Sequence, residues 1–228
     1  MLDLFCGEGL AAWGYWLSGR FTEIVGVDSD PDMRTRYSFD FLCADAMRLD
    51  YEFLMSFDFI HASPPCQGYS KRTPDKSKHP KLIAATHLML TAAGLPYVIE
   101  NVEGSGKELR PNIVASGEYF GLPSVRRRYF HASPVTHNQR WLERRSILMT
   151  DVRRINIHAG SHVARADVIK ALGLEVINEN RLRNLTVAGM EQGVPPAMTL
   201  EIARLIFPQK ALIGEKRRSS SSGGDNGC

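Results

Sequence analysis

No stretch of this chain approaches the roughly 18 consecutive apolar residues of a membrane span, so a membrane-spanning helix is not expected. Cysteine is sparse: Cys6, Cys43, Cys66 and Cys228 are scattered without a Cys-x-x-Cys pair. That spacing argues against a disulfide framework and against a structural zinc site. The first residues, Met1-Leu2-Asp3-Leu4-Phe5, lack a basic run and meet an acid at Asp3, so they do not read as a secretory signal. Together these absences predict a reduced, cytoplasmic protein. Internal repeats are missing too. What remains is a globular composition of 228 residues, 43% hydrophobic and 23% charged, enough for one domain with a real core.

The formal net charge of +3 conceals an asymmetry. Residues 1–50 hold nine acidic and four basic side chains, whereas residues 126–183 hold five acidic and twelve basic. Two ligands of different character fit such a division. The basic stretch includes Arg126, Arg127, Arg128, Arg144, Arg145, Arg153 and Arg154, interleaved with Tyr129, Phe130 and Trp141. It reads either as a solvated face or as a surface for a polyanion, with phosphate contacts and stacking.

Hydrophobic patterning predicts strands over 1–5, 23–28, 40–44, 57–62, 97–100, 125–132 and 154–158, and helices over 9–17, 80–93 and 199–207. Strands alternating with helices mean right-handed crossovers and a mostly parallel α/β sheet of the Rossmann-like kind, covered on both faces. Ligands of such sheets bind at the carboxyl ends of the strands, so the residues there are the candidates. The segment 216–228 is low in complexity and is expected to be a disordered tail.

The first strand ends in Phe5-Cys6-Gly7-Glu8-Gly9. Gly7 and Gly9 permit a sharp turn and a close approach to a ligand. Asp28 ends the second strand at about the spacing at which an acid reaches ribose hydroxyls. Asp45, after the third, is placed to accept from the exocyclic amine of adenine. Glu8 inside the loop would repel a pyrophosphate. A phosphate-free, positively charged nucleoside such as S-adenosylmethionine therefore fits this end better than a dinucleotide.

The fourth strand ends in Ser63-Pro64-Pro65-Cys66-Gln67-Gly68-Tyr69-Ser70. Two prolines stiffen the backbone and display Cys66 on a rigid loop at the ligand edge. The fifth strand ends in Glu100-Asn101-Val102. An apolar run leads into Glu100, which favours a neutral, proton-donating carboxyl. His158 and His162 lack a third ligand, so no metal is expected.

These segments, with Arg126-Arg127-Arg128 after them, resemble in order and spacing the DNA (cytosine-5) methyltransferases, and among them a compact, phage-like member of the restriction–modification kind. The resemblance runs from residue 1 to about 130 and resumes at 192–207. It implies a methyltransferase core over 1–132, a reduced target-recognition region over 133–190 and a closing segment over 191–210. It implies S-adenosylmethionine held by Phe5, Gly7, Gly9, Asp28, Asp45 and Pro65. Cys66 would be the nucleophile that adds to carbon 6 of cytosine. Glu100 would be the acid toward ring nitrogen 3, and Arg128 would stabilise the carbonyl oxygen. Arg126 would hold the loop or the phosphate backbone, with Arg127 on the opposite strand face. Gln67, Ser70, Lys71 and Arg72 would meet a flipped base and its phosphates. The implied partner is DNA, double-stranded, and the protein acts as a monomer.

Four departures stand out. The chain begins almost at the first motif, and Ser124 and Gln192 replace the Gln and Asn common at their places. Only about 60 residues separate Arg128 from the final motif, so any target recognition falls within 133–190. RNA, a free cytosine nucleotide, and a non-catalytic nucleic-acid-binding role remain the alternatives.

Overall fold

Strands of the computed structural model form one sheet; residues 1–124, 126–135, 139–141 and 163–208 are described, without the side chains of 139–141. In chain order the elements are β1 (Leu2–Leu4), α1 (Leu10–Leu17), β2 (Val25–Asp28), β3 (Asp40–Cys43), α2 (Tyr51–Met55), β4 (Ile60–Ala62), α3 (Ile83–Ala93) and β5 (Tyr97–Asn101). There follow α4 (Gly106–Leu109), β6 (Ile113–Ala115), β7 (Arg128–Ser133), β8 (Gln139–Trp141), α5 (Arg165–Leu172), α6 (Glu179–Leu182), α7 (Val187–Gln192) and α8 (Pro196–Ile206). The sheet order is β3-β2-β1-β4-β5-β7-β6-β8. Only β7 among the described strands runs against its neighbours. The fold is mixed α/β with a mostly parallel sheet, as the alternation predicts.

The chain winds one way from β1 to β3 and the other way from β4 to β5. The loops leaving β1 and β4 therefore diverge, and a crevice opens between them. Alternation along the strands sorts the core into two layers. Leu2, Leu4, Ile60, Ala62, Tyr97 and Ile99 face the layer of α2 and α3, with Leu54, Ile83 and Leu90. Val98, Phe130 and Ala132 face the other way, toward Ala12 and Tyr15 of α1 and Met198 and Ile202 of α8.

Helices α1 and α8 touch closely because Gly14 has no side chain. A Cβ there would lie 2.0 Å from Thr199 Oγ1 and 2.1 Å from the Pro196 carbonyl oxygen. Thr199 Oγ1 donates to the Ala11 carbonyl at 2.8 Å and locks the crossing. The closing helix begins at Pro196, three residues before the sequence-based start. A proline at the first helical position forfeits no hydrogen bond and presets φ.

Residues 163–190, expected as recognition region, pack their described helices onto the core. Val168, Leu172, Leu174, Leu182 and Met190 form one apolar cluster with Leu10 and Trp13 of α1. Strand β6 and helices α5 to α7 are too short or too weakly periodic to have been read from the sequence. The strand expected over 154–158, His158, His162, Arg144, Arg145, Arg153, Arg154 and the tail over 216–228 lie outside the described residues.

Candidate active site

A cavity of about 520 Å³ lies at the carboxyl ends of β1, β2, β4 and β5, closed on its far side by the segment around α7. Phe5, Gly7, Gly9, Asp28, Pro65, Cys66, Gln67, Glu100 and Arg128 all line it. Asp45, Arg126, Ser70, Lys71 and Arg72 do not line it.

At one end the chain leaves β1 through Phe5, Gly7 and Gly9, all at positive φ (56°, 51° and 84°). The turn is tight, and glycine at position 9 is required twice over. Its φ is left-handed, and a Cβ would lie 2.8 Å from the Tyr37 ring. Asp28 braces the turn: Oδ2 accepts from Gly7 N at 3.0 Å and Oδ1 from Asp30 N at 3.0 Å. Each carboxylate oxygen keeps a further lone pair for a hydroxyl on the cavity side.

Glu8 turns toward the closing segment. It accepts from Thr186 N at 2.7 Å and Thr186 Oγ1 at 2.6 Å, and Arg36 lies 3.8 Å away. The two cations on the cavity wall, Arg36 and Arg128, each face a carboxylate. No described cation on the wall is left over for a pyrophosphate, whereas the Asp28 oxygens suit a ribose diol. The residues present thus fit a phosphate-free nucleoside cofactor. Asp45 stands apart, accepting from Met47 N at 2.9 Å and pairing with Arg48 at 3.4 Å.

At the other end, Asn101 fixes the loop that carries the thiol. Its Nδ2 donates to the Pro64 carbonyl at 2.8 Å, a role the sequence reading did not assign. The amides of Tyr69 and Ser70 donate to the Cys66 carbonyl at 3.0 and 2.9 Å and close one turn behind the cysteine. Burial pushes the Cys66 thiol up, the Glu100 charge pushes it further, and Arg128 and Arg126 pull it back.

Glu100 is 6% exposed. Burial raises its pKa, while Arg128, the Ser63 hydroxyl and Arg126 stabilise the anion. Arg128 Nε lies 2.8 Å from Glu100 Oε1, yet its N–H is not aimed along the oxygen's lone pair, so Oε1 has no directional hydrogen bond. The same guanidinium donates to the carbonyls of Arg127 at 3.1 Å and Gln192 at 3.3 Å. It thereby ties the closing segment to the acid.

Arg128 opens β7 and Arg126 lies just before it, both buried; Arg127 between them is exposed, 3.8 Å from Glu103. Arg126 is buried among the charges of Arg128, Glu100, Cys66 and Glu191. Such burial leaves it no face for a phosphate backbone, so of its two expected roles only the internal one is open to it. Lys71 pairs with Glu103 at 3.8 Å, Arg72 is exposed, and Ser70 Oγ accepts from Arg72 N at 3.2 Å. These three lie on the loop that follows Cys66 and Gln67, outside the cavity lining.

No protein-family model and no curated protein matches the sequence. Solved structures do. A DNA modification methyltransferase encoded within an Escherichia coli prophage aligns at 21% identity over 57% of this chain and 44% of its own length, with a TM-score of 0.43. The Entamoeba histolytica methyltransferase EhMeth aligns at 15% identity over 91% of this chain and 97% of its own, with a TM-score of 0.57. The S. pombe Dnmt2 methyltransferase aligns at 14% identity over 91% and 98%, with a TM-score of 0.59. The strand order, the crevice and the near-complete coverage of the last two agree: this chain has the fold of these Rossmann-like methyltransferases.

Proposed function

We propose that this chain methylates carbon 5 of cytosine in DNA, with S-adenosylmethionine as donor and Cys66 as covalent nucleophile. The observation that carries the reading is one cavity with Cys66, Glu100 and Arg128 at one end and Asp28 beneath the glycine turn at the other. When bound there, S-adenosylmethionine supplies an electrophilic sulfonium methyl group for carbon 5.

The chain's own residues do the rest. The Cys66 sulfur adds to carbon 6, which makes carbon 5 nucleophilic. Electron density flows toward ring nitrogen 3 and the carbonyl oxygen. Glu100 donates a proton to nitrogen 3, and Arg128 stabilises the oxygen. Loss of the carbon 5 proton to a base then expels the thiolate, and nitrogen 3 returns its proton to Glu100. The electrostatics link the first two events: Glu100 as an anion raises the thiol pKa, and Glu100 as an acid no longer does. A protonated Glu100 therefore leaves Arg128 and Arg126 to favour the thiolate. Thiol ionisation and acid loading help each other.

A cytosine inside a duplex must swing out to reach the cavity. Gln67 on the wall and Ser70, Lys71 and Arg72 on the adjoining loop are the groups we assign to the flipped base and its phosphates. The basic stretch 126–183 supplies further cations for a polynucleotide.

The test is incubation with methyl-labelled S-adenosylmethionine and unmethylated duplex DNA, followed by digestion to nucleosides. Label in 5-methyldeoxycytidine, lost in Cys66→Ala with cofactor binding retained, is expected. Label in RNA alone would change the substrate, and activity in Cys66→Ala would sink the covalent mechanism.

A further inference from the structure

His61, at the centre of β4, is fully buried and takes no part in the chemistry above. Ile60 and Ala62 face α2 and α3, so His61 faces α1. There Tyr15 Oη lies 2.9 Å from Nδ1. At the other edge of the ring, Ser63 Oγ lies 2.9 Å from Nε2. The strand register that pairs Ala62 with Ile99 sets Ser63 beside Glu100 on the same sheet face, both on the cavity wall, and the Ser63 hydroxyl stabilises the Glu100 anion. Tyr15, His61 and Ser63 are thus joined by hydrogen bonds from the core to the cavity wall, where Glu100 is the neighbour of Ser63.

The direction of each hydrogen bond follows from the first. Tyr15 is fully buried, and burial holds its phenol proton far above the usual range. That proton needs an acceptor, and His61 Nδ1 is the partner facing it among the described residues. Burial also lowers the His61 pKa to about 3, so the ring is neutral and carries one proton. With Nδ1 accepting, the proton sits on Nε2 and is donated to Ser63 Oγ. The Ser63 proton is left to point onward to Glu100.

We propose that Tyr15, His61 and Ser63 form a one-way hydrogen-bond relay whose last donor, the Ser63 hydroxyl, fixes the Glu100 carboxyl and leaves the proton of its neutral form on the oxygen facing the cavity. The relay orients and does not conduct, since His61 stays uncharged. Its members are positioning residues, and their catalytic consequence rests on Glu100 serving as the acid. The charged and titratable groups around the line are Arg128, Arg126 and Cys66 at Glu100, and Asp3 at Tyr15.

Two spectroscopic readouts on the full chain test the relay without requiring turnover. Long-range ¹H–¹⁵N NMR should show His61 protonated on Nε2, and a mixture of tautomers in Tyr15→Phe. In protein with ¹³C-labelled glutamate, assigned with Glu100→Gln, the Glu100 titration midpoint should rise in Ser63→Ala and return in Ser63→Thr. In turnover, Ser63→Ala should lose about tenfold in kcat at unchanged KM, the scale of one lost hydrogen bond. Its basic limb should move to higher pH, because the acid form survives longer. A proton on Nδ1 in the unaltered protein, or an unmoved Glu100 midpoint in folded Ser63→Ala, overturns the relay. The expected tautomer and midpoints without any methyl transfer would leave the relay standing and overturn the proposed function.

Discussion

Glu8 and Thr186, 178 residues apart, are joined by two hydrogen bonds, from Thr186 N at 2.7 Å and Thr186 Oγ1 at 2.6 Å. The pair ties the glycine turn after β1 to the segment that closes the cavity. Nearby, a Cβ on Gly189 would lie 2.0 Å from the Glu8 carboxyl carbon, so α7 is seated directly on this acid. Two segments far apart in the chain meet here and build one wall.

Replacing Glu8 by Ala should therefore loosen the closing segment and expose the cavity. It removes both hydrogen bonds to half-buried Thr186, each worth about 0.5–1.5 kcal/mol. Thermal melting should show that loss, and calorimetry should show weaker S-adenosylmethionine binding. Thr186→Ser retains both donors and should behave almost as the unaltered protein. Full cofactor affinity in folded Glu8→Ala would show that the clasp does not shape the site.

Gly14 makes a sharper steric prediction. Its added methyl would meet the Pro196 carbonyl oxygen at 2.1 Å, and backbone cannot swing aside as a side-chain tip can. Overpacking of this kind costs about 1–3 kcal/mol, so Gly14→Ala should lower the urea midpoint although alanine is the better helix former. A stability gain would mean that α1 and α8 separate easily.

The sequence exposed what is local. Strand-end positions, the glycine pair, the prolines before Cys66 and the turning of Arg127 away from Arg126 and Arg128 all follow from period and spacing. Contacts between distant segments were out of reach. Glu8 reads as a loop acid until Thr186 is seen against it, and Asn101 reads as a strand end until it holds the Pro64 carbonyl. Gly14 reads as one more small residue of an apolar helix, and its reason is the α8 backbone. His61 inside an apolar strand gives no signal of its direction, since only the fold brings Tyr15 to its Nδ1.

Arg126 and Arg127 should separate experimentally despite their adjacency. Arg127 is exposed and paired only loosely with Glu103. Arg127→Ala should leave the melting temperature unchanged, weaken polynucleotide binding and reduce its salt dependence by about one counterion. Arg126→Ala removes a buried cation from Glu100 and Glu191. Truncating so large a buried side chain leaves its volume empty, at about 2–5 kcal/mol, so the protein should melt earlier. Equal thermal effects for the two would contradict the burial of the one and the exposure of the other.

Asp3 carries a pH signature. It is 1% exposed, accepts from Tyr37 Oη at 3.1 Å, and leaves Oδ1 without a partner. Burial raises its pKa to about 8, with the Tyr37 hydrogen bond opposing and the Asp28 charge reinforcing. In the unfolded chain the same carboxyl titrates near its ordinary value of about 3.9. Between those values the native state holds a proton that the unfolded state has lost. Stability from this group is thus complete below about pH 4 and is lost as pH rises toward 8, at no more than about 1.4 kcal/mol per pH unit. Asp3→Asn removes the titration while preserving shape. Urea midpoints at pH 5.5 and 8.5 should fall for the unaltered protein and fall less for the variant. Parallel slopes would show that Asp3 is ionised in the fold and that its charge is met by a group not facing it here.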